Sequence, residues 1–474
     1  MNGRYWLETL GCPKNEVDSD KLAGTLVADG MVPAADPGQA DLVVVNTCAF
    51  IEAARTESIE TVLALAQRRR PGARLVVTGC MAERYGESLA EALPEVDLVA
   101  GFGRSLLNPP RQAGLEGVRV EFSSGPSPLV PDFDLLNLKR PPARAPWAYV
   151  KVAEGCDRHC GFCAIPSFRG RQRSRTVESI LAEVDDLDVA EVVLVAQDLA
   201  SYGRDLPGRD LAGRDSPGRD LPGPGVDTFG PQAGGEISNH DQVGGGRRRR
   251  RIIELVQAVS ERVERVRLLY LYPSELDDDL IGTICATGVP YFDLSLQHVS
   301  RPLLRAMRRW GDGDRFAQRI EHIRALQPDA AFRSSFIVGY PGETEDDHDA
   351  LLAFLAEVRL DWAGFFAYSA EEGTYAATLD AAVAPELMAE RLGELSESQD
   401  RITAAKRADL IGASVRVLVD GPGWGRSHRE APDIDGVIRL PETVPVGSLV
   451  DAVVTEAIGP DLVADVVDRH GAAR

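Results

Sequence analysis

The chain has 474 residues, 44% of them hydrophobic and 26% charged, and a formal net charge of −21. That length allows about three domains; the composition is that of an ordinary folded protein, and the charge disfavours non-specific binding to bare phosphate backbones while favouring a basic protein partner. No apolar run reaches the roughly 20 residues of a membrane helix, and the start "MNGRYWLETLGC" lacks the basic and apolar regions of a secretory signal, so a cytoplasmic protein without membrane contact is expected. In a reducing compartment, seven cysteines read as metal ligands or catalytic thiols before disulfides.

The first three apolar segments, "RYWLETLGC", "ADLVVVNTC" and "ARLVVTGC", each read as a buried strand ending in a cysteine: Cys12, Cys48 and Cys80. Helical stretches such as "IEAARTESIETVLALAQRRR" follow them. The alternation predicts a parallel α/β sheet domain over residues 1–115. Loops after parallel strands emerge at one sheet edge, which brings together three thiols 36 and 32 residues apart.

The proline-rich "GPSPLVPDFDLLNLKRPPARAPW" reads as a linker, 116–144. From "AYVKVAEGC" onward, "EVVLVAQDL", "RVRLLYLYP", "YFDLSLQH", "AFRSSFIVGYPGE" and "WAGFFAYS" continue a series of strand–helix units. They predict a full or partial parallel barrel over 145–380, with its chemistry at the C-terminal strand ends. Within it, Cys285 in "LIGTICATG" reads as core. "GRDLPGRDLAGRDSPGRDLPG" has too little apolar content to pack, so a disordered surface insertion is expected at about 203–246. Arg247–Arg251 after it read as a solvated helix start or an RNA contact. A polar connecting helix is expected over 381–410. Residues 411–474 alternate as strands do and predict a small antiparallel, OB-like β-barrel. That stretch holds ten Asp/Glu against six Arg, which argues against a strong RNA clamp.

The most specific signal is "EGCDRHCGFCAIPSF", with Cys156, Cys160 and Cys163 in the spacing C-x-x-x-C-x-x-C and no fourth cysteine nearby. Closed structural sites use four ligands. Three thiolates hold three irons of a [4Fe-4S] cubane and leave the fourth open to a small molecule, while Phe162 is positioned to shield the cluster from water. Zinc completed by His159 is the rival, although the adjacent His159 and Cys160 would reach one ion only through a contorted backbone. The N-terminal trio repeats the three-ligand pattern, so two open sites are expected.

The pattern C-x-x-x-C-x-aromatic-C resembles the signature of radical S-adenosylmethionine (SAM) enzymes, in which the free iron chelates the SAM amino and carboxylate groups. With a three-cysteine α/β domain before it and a small barrel (a TRAM domain) after it, nearly the whole chain outside the insertion resembles the methylthiotransferase family. "LGCPKNEVDSD", "CAIPSFRGRQRSR" and "SHREAPDIDG" are similar to the branch that modifies a ribosomal-protein aspartate. The resemblance implies two [4Fe-4S] clusters, on Cys12, Cys48 and Cys80 and on Cys156, Cys160 and Cys163. It also implies the reaction: a 5′-deoxyadenosyl radical takes hydrogen from the β-carbon of an aspartate in small-subunit ribosomal protein twelve. Sulfur held at the auxiliary cluster is methylated and transferred, with two SAM consumed. An electron donor and a sulfur donor are implied as partners. A monomer is expected, with the substrate met through the acidic terminal barrel.

Gly339, Gly342 and Glu343, between a strand and a helix, are assigned to SAM binding; Thr344 and Asp347 beside them also read as a capping box. Gln197 and Asp198, at a strand end, are candidates for the SAM amino group or ribose, or for capping the next turn. Gln297 and His298 take the equivalent place after a later strand, His298 reading as a ligand contact or a structural histidine. Of Arg169, Arg171, Arg173 and Arg175, one or two are candidates for the SAM carboxylate or the substrate and the rest read as solvated; no side chain is assigned as catalytic. Two other readings stand beside this one: a transfer-RNA adenosine methylthiotransferase, and a non-enzymatic iron–sulfur or zinc module that binds RNA.

Overall fold

Strand β1 (Arg4–Thr9) pairs in parallel with β2 (Leu42–Thr47), which pairs with β3 (Arg74–Gly79) and then β4 (Leu98–Ala100); Val32–Pro33 forms a two-residue edge beyond β1. Successive side chains of a strand point to opposite faces, and here both faces are covered. Val43 and Val45 pack with α2 (Glu52–Arg68) and α3 (Cys80–Ala92) through Val62, Leu65 and Leu89. Leu42 and Val44 pack with Leu22, Ala23 and Leu26 of α1 (Pro13–Ala28) on the other face. Burial on both faces is why β2 reads as a continuous apolar run. The computed structural model describes residues 3–104, 106, 134–206, 208–209, 215–216 and 250–467.

Six parallel strands follow in chain order: β5 (Trp147–Lys151), β6 (Glu191–Val195), β7 (Arg265–Leu268), β8 (Tyr291–Gln297), β9 (Ala331–Val338) and β10 (Trp362–Ala367). They form two three-stranded sheets joined by a bridge between Leu271 and Leu294, which makes a partial barrel. The same alternation sorts their residues. Ala148, Val150, Val192 and Leu194 face the helix layer, whereas Trp147, Tyr149, Val193 and Val195 face inward. Lys151 continues the inward series of β5 and arrives at the mouth.

The surrounding helices carry local start signals. Thr176 caps α5 (Val177–Leu187), Asp277 caps α7 (Asp278–Cys285) and Asp312 caps α9 (Gly313–Leu326), each accepting from a backbone N–H three residues on. Thr344 and Asp347 form the capping box of α10 (Glu345–Val358). Helix α6 (Arg251–Ser260) buries Ile252, Ile253, Leu255, Val256 and Val259, each worth roughly 1.5–3 kcal/mol at most.

Helix α11 (Pro385–Ala408) leads into a closed five-stranded barrel of β11 (Ser414–Gly421), β12 (Trp424–Arg426), β13 (Ile438–Arg439), β14 (Leu449–Ile458) and β15 (Asp461–Val466). Its pairings are antiparallel except between β13 and β15, which run parallel.

Three segments bear on the linker, the insertion and the arginine run. The linker expected at 116–144 is described only from residue 134, and there it is fixed: Leu135 and Leu136 are buried, and the buried Lys21 Nζ donates to Leu136 O (2.5 Å) and Glu183 Oε2 (3.2 Å). Of the insertion expected at 203–246, 203–206 hold fixed positions, because Ser174 N donates to Asp205 Oδ2 (2.7 Å) and Gly203 N to Ser174 Oγ (3.0 Å). Residues 208–209 pair with 215–216, and most of the rest lies outside the described residues. Of the five arginines, Arg247–Arg249 lie outside the described residues, while Arg250 is engaged with Glu275 and Asp277.

Candidate active site

Cys12 stands at the N-cap of α1, Cys48 directly after β2, and Cys80 at the first position of α3, so all three lie at the C-terminal edge of the sheet. The loop after β1 crosses close over Cys48. A Cβ on Gly11 would stand 2.8 Å from Cys48 Cβ, and its φ of +96° is one that side chains rarely adopt. Asn15 ties the edge together: its Nδ2 donates to Leu10 O (2.9 Å) and Thr47 O (3.1 Å), and its Oδ1 lies 3.6 Å from Cys80 Sγ. Burial pushes the Cys48 thiol up to about 12 and raises Cys80 as well. At the half-buried Cys12, the Lys14 ammonium and the Arg169 guanidinium outweigh the effect of burial and hold the thiol below its ordinary value.

The second trio sits on the loop between β5 and α4 (Ile165–Arg169). Cys156 N donates to Gly170 O (3.0 Å), Cys163 N to Cys160 O (3.1 Å), and Gly161 N to Met307 O (2.8 Å), which pins the loop to the end of α8 (Arg301–Ala306). Gly161 has no alternative there. A Cβ would meet Ala306 O at 2.9 Å and the Tyr340 hydroxyl at 3.2 Å. Backbone N–H of Arg158 points at Cys156 Sγ (3.4 Å) and Arg309 Nη1 at Cys160 Sγ (3.6 Å). Burial raises Cys156 to about 11 and Cys163 to about 12. Phe162 packs against the barrel core, and His159 is exposed. Among the described residues no three or more His, Cys, Asp or Glu side chains stand together at single-ion spacing.

Charged side chains fill the space between the trios. Lys151 Nζ lies 2.6 Å from Asp18 Oδ1 and also pairs with Glu154. Arg169 reaches Glu154 Oε1 (2.9 Å), Asp18 Oδ2 (3.4 Å), Asn15 Oδ1 (2.7 Å) and Cys80 Sγ (3.0 Å). Partial burial would raise Glu154, but Arg169 and Lys151 hold its carboxyl well below the usual range. Lys14 Nζ rests 3.3 Å from the Tyr270 ring centroid. The Tyr272 ring is flanked by Arg158 and Arg309, each 3.9 Å from its centroid. Tyr270 (φ 64°) and Gln297 (φ 72°), just inside the mouth, hold a left-handed backbone that is uncommon outside glycine.

The residues assigned to SAM divide between two places. Gln197 and Asp198 share the rim with the cysteine loop: Gln197 Nε2 donates to Glu154 (3.1 Å), and Asp198 Oδ2 accepts from Arg158 Nε and Ser201 Oγ (both 2.6 Å). Gly339, Gly342 and Glu343 lie against α11 instead. Met388 Sδ lies 2.1 Å from where a Gly339 Cβ would be, and Glu343 accepts from Gly339 N (2.6 Å) and Arg391 Nη1 (2.9 Å). Gly342 N donates to Ala381 O (2.8 Å). The turn reaches the cysteine loop through Tyr340, whose hydroxyl donates to Ala306 O (2.9 Å). His298 is fully buried; its Nδ1 accepts from Ser300 N (3.0 Å) and burial lowers it to about 4. The four alternating arginines separate as well: Arg169 lies between the trios, Arg171 is exposed, Arg173 binds Asp134 through both Nη atoms (2.9 and 2.8 Å), and Arg175 pairs with buried Glu183 (2.6 Å). Sequence reasoning missed Lys14, Lys151, Glu154, Tyr272 and Arg309. Lys14 and Glu154, two residues from Cys12 and Cys156, stood close enough to a thiol to be noticed.

The donors suit iron–sulfur clusters and SAM. Each trio offers three thiols beside guanidinium or backbone N–H groups, which stabilise anionic sulfur. Gln197 Oε1 and Asp198 Oδ1 are buried acceptors without a partner among the described residues, as an ammonium or ribose hydroxyl would need.

Residues 4–101 match the family described as Uncharacterized protein family UPF0004, residues 150–355 the Radical SAM superfamily, and residues 411–467 the TRAM domain. Curated relatives named "Ribosomal protein uS12 methylthiotransferase RimO" include one from Cutibacterium acnes, 38% identical over 97% of each chain. Another, from Moorella thermoacetica, is 39% identical over 94% of this chain and 95% of its own. A third, from Akkermansia muciniphila, is 35% identical over 97% and 99%. A solved structure of the radical S-adenosylmethionine methyltransferase TsrM from Kitasatospora setae covers 85% of this chain and 89% of its own, with TM-score 0.47 and 12% identity.

Proposed function

Because the chain belongs to the ribosomal protein uS12 methylthiotransferase family, we propose that it adds a methylthio group to the β-carbon of an aspartate of that ribosomal protein. Its cofactors are SAM and [4Fe-4S] clusters. The observation that carries the reading is the pairing of two three-thiol sites, one at the edge of an α/β sheet and one at the mouth of the barrel it covers, with a buried charged layer between them.

We assign Cys12, Cys48 and Cys80 to the auxiliary cluster and Cys156, Cys160 and Cys163 to the SAM cluster. When bound, the clusters and SAM supply the radical chemistry and the sulfur. The polypeptide positions and shields. Gly161 and Phe162 fix the SAM-side loop on the barrel; Gln197 and Asp198 present free acceptor oxygens to the SAM amino group or ribose. Gly339, Gly342 and Glu343 support this site from behind, through Tyr340. Lys151 and Arg169 neutralise Asp18 and Glu154, which offsets the cost of placing these charges out of water.

The domains follow this division of labour: 1–115 for the auxiliary site, 145–380 for the SAM site, 411–474 for the substrate. In the last, Asp420 and Glu430 are buried against Arg426 and Arg407, while Asp433, Glu442, Asp451 and Glu456 are exposed against exposed Arg416 and Arg439. An acidic outer face suits a basic ribosomal protein. No helix among the described residues is long and apolar enough to cross a membrane; a monomer working in the cytoplasm, with separate electron and sulfur donors, completes the proposal.

Anaerobically reconstituted protein, SAM, a reductant and a peptide spanning the uS12 target loop form the test. Mass spectrometry is expected to find methylthio-aspartate; an unmodified peptide beside modified transfer RNA would move the assignment to the nucleic-acid branch.

A further inference from the structure

Arg169 belongs by sequence to the SAM-side cysteine segment, six residues after Cys163, yet its Nη2 lies 3.0 Å from Cys80 Sγ and 2.7 Å from Asn15 Oδ1 in the N-terminal domain. Its Nη1 faces Glu154 and Asp18, its guanidinium carbon lies 4.6 Å from the Phe102 ring centroid, and its side chain is 3% exposed. A guanidinium this buried costs several kcal/mol unless its surroundings compensate it. The two carboxylates do so from one side, and Lys151 shares both of them. The other edge of the fork is directed at sulfur. A thiolate bound to iron keeps lone pairs that accept an N–H, so this contact is compatible with cluster loading. The corresponding contact of the other trio, Arg309 to Cys160, is longer at 3.6 Å.

We propose that Arg169 is a positioning residue for the auxiliary cluster: it donates a hydrogen bond to the Cys80 sulfur, fixes that ligand relative to the SAM-side loop, and raises the cluster's reduction potential. The physical basis is that N–H···S bonds and nearby cations stabilise the more negative, reduced state. The proposal rests on the assignment of the N-terminal trio to a [4Fe-4S] cluster.

The test uses the full chain with Cys156, Cys160 and Cys163 replaced by Ala, so that only the N-terminal trio loads. Three versions are compared: Arg169 retained, Arg169→Lys and Arg169→Met. Lys151 remains to neutralise Asp18 and Glu154 in each. After anaerobic reconstitution, iron is counted and the cluster is titrated potentiometrically with EPR detection. Each version is expected to hold about four irons. At a fixed poise, Arg169→Met is expected to lower the reduced-to-oxidised ratio about tenfold, equal to 59 mV for one electron. Arg169→Lys, which keeps the charge but loses the fork, is expected to fall between. Coincident potentials in loaded versions overturn the proposal. If Arg169→Met does not load, the Lys version decides: a lowered potential supports the proposal and an unchanged one overturns it. A parent that binds no iron overturns the cluster assignment, and this proposal with it.

Discussion

At the scale of single residues, glycine and arginine complete what the cysteines begin. Gly161 lets the SAM-side loop lie on Ala306 O and Tyr340 with no room for a methyl group. We expect Gly161→Ala to push the loop outward at a cost of about 1–3 kcal/mol. Iron should fall from about eight toward about four per chain, with the N-terminal trio still loaded; an unchanged iron content and thermal midpoint would contradict this packing. The six cysteines were legible because thiol spacing is itself a chemical signal. Arg169 was legible only as one of four alternating arginines, since its partner Cys80 lies 89 residues away, and Lys151 meets Asp18 across 133 residues. Spacing along the chain carries no information about such pairs. His298 illustrates the opposite case: the sequence left it between ligand and structural roles, and the structure places it fully buried on its own turn.

Among the elements, strands and helices were the most readable part of the fold, because strands covered on both faces are written as apolar runs and the helices carry Thr and Asp caps. The joints between domains were not readable. One of them holds the terminal barrel to the SAM domain: Asp435 Oδ2 accepts from the Tyr291 hydroxyl (2.6 Å) and Ala431 N (2.8 Å), and Oδ1 faces Arg333 Nε (3.3 Å). Burial pushes this carboxyl up to about 6 although Arg333 opposes it. A carboxyl raised in the folded state binds more protons there than when unfolded, so its stabilising contribution is full below the unfolded value near 4 and is lost as pH rises through about 6. Between pH 5 and 7.5 the loss from this group is on the order of 1 kcal/mol. Denaturant unfolding at the two pH values should show that slope, and Asp435→Asn should flatten it; an equal slope in the variant would show that Asp435 does not titrate in this joint.

For the molecule as a whole, the net charge of −21 and the acidic outer face of the terminal barrel are the features we propose to meet a basic substrate. Charged rims act on encounter and orientation more than on chemistry. The double variant Asp451→Lys with Glu456→Lys is therefore expected to raise KM for the uS12 peptide by about 3–10-fold at low salt with kcat unchanged. The difference should shrink at about 1 M salt, where screening acts within roughly 3 Å. A fall in kcat at constant KM would place these carboxylates in the chemical step instead. The architecture also explains why so large a part of the site follows from six cysteines. Parallel strands deliver every loop to one edge, so residues far apart in sequence meet wherever the strands end.

The most direct test of the central claim is the metal content of the anaerobically reconstituted chain, measured beside Cys48→Ala and Cys163→Ala variants. Two open four-iron sites predict about eight irons and eight sulfides per chain, about four in each variant, and SAM perturbing the EPR spectrum of the Cys48→Ala protein but not that of the Cys163→Ala protein. Zinc in place of iron, or a single four-iron site lost in both variants, would contradict it.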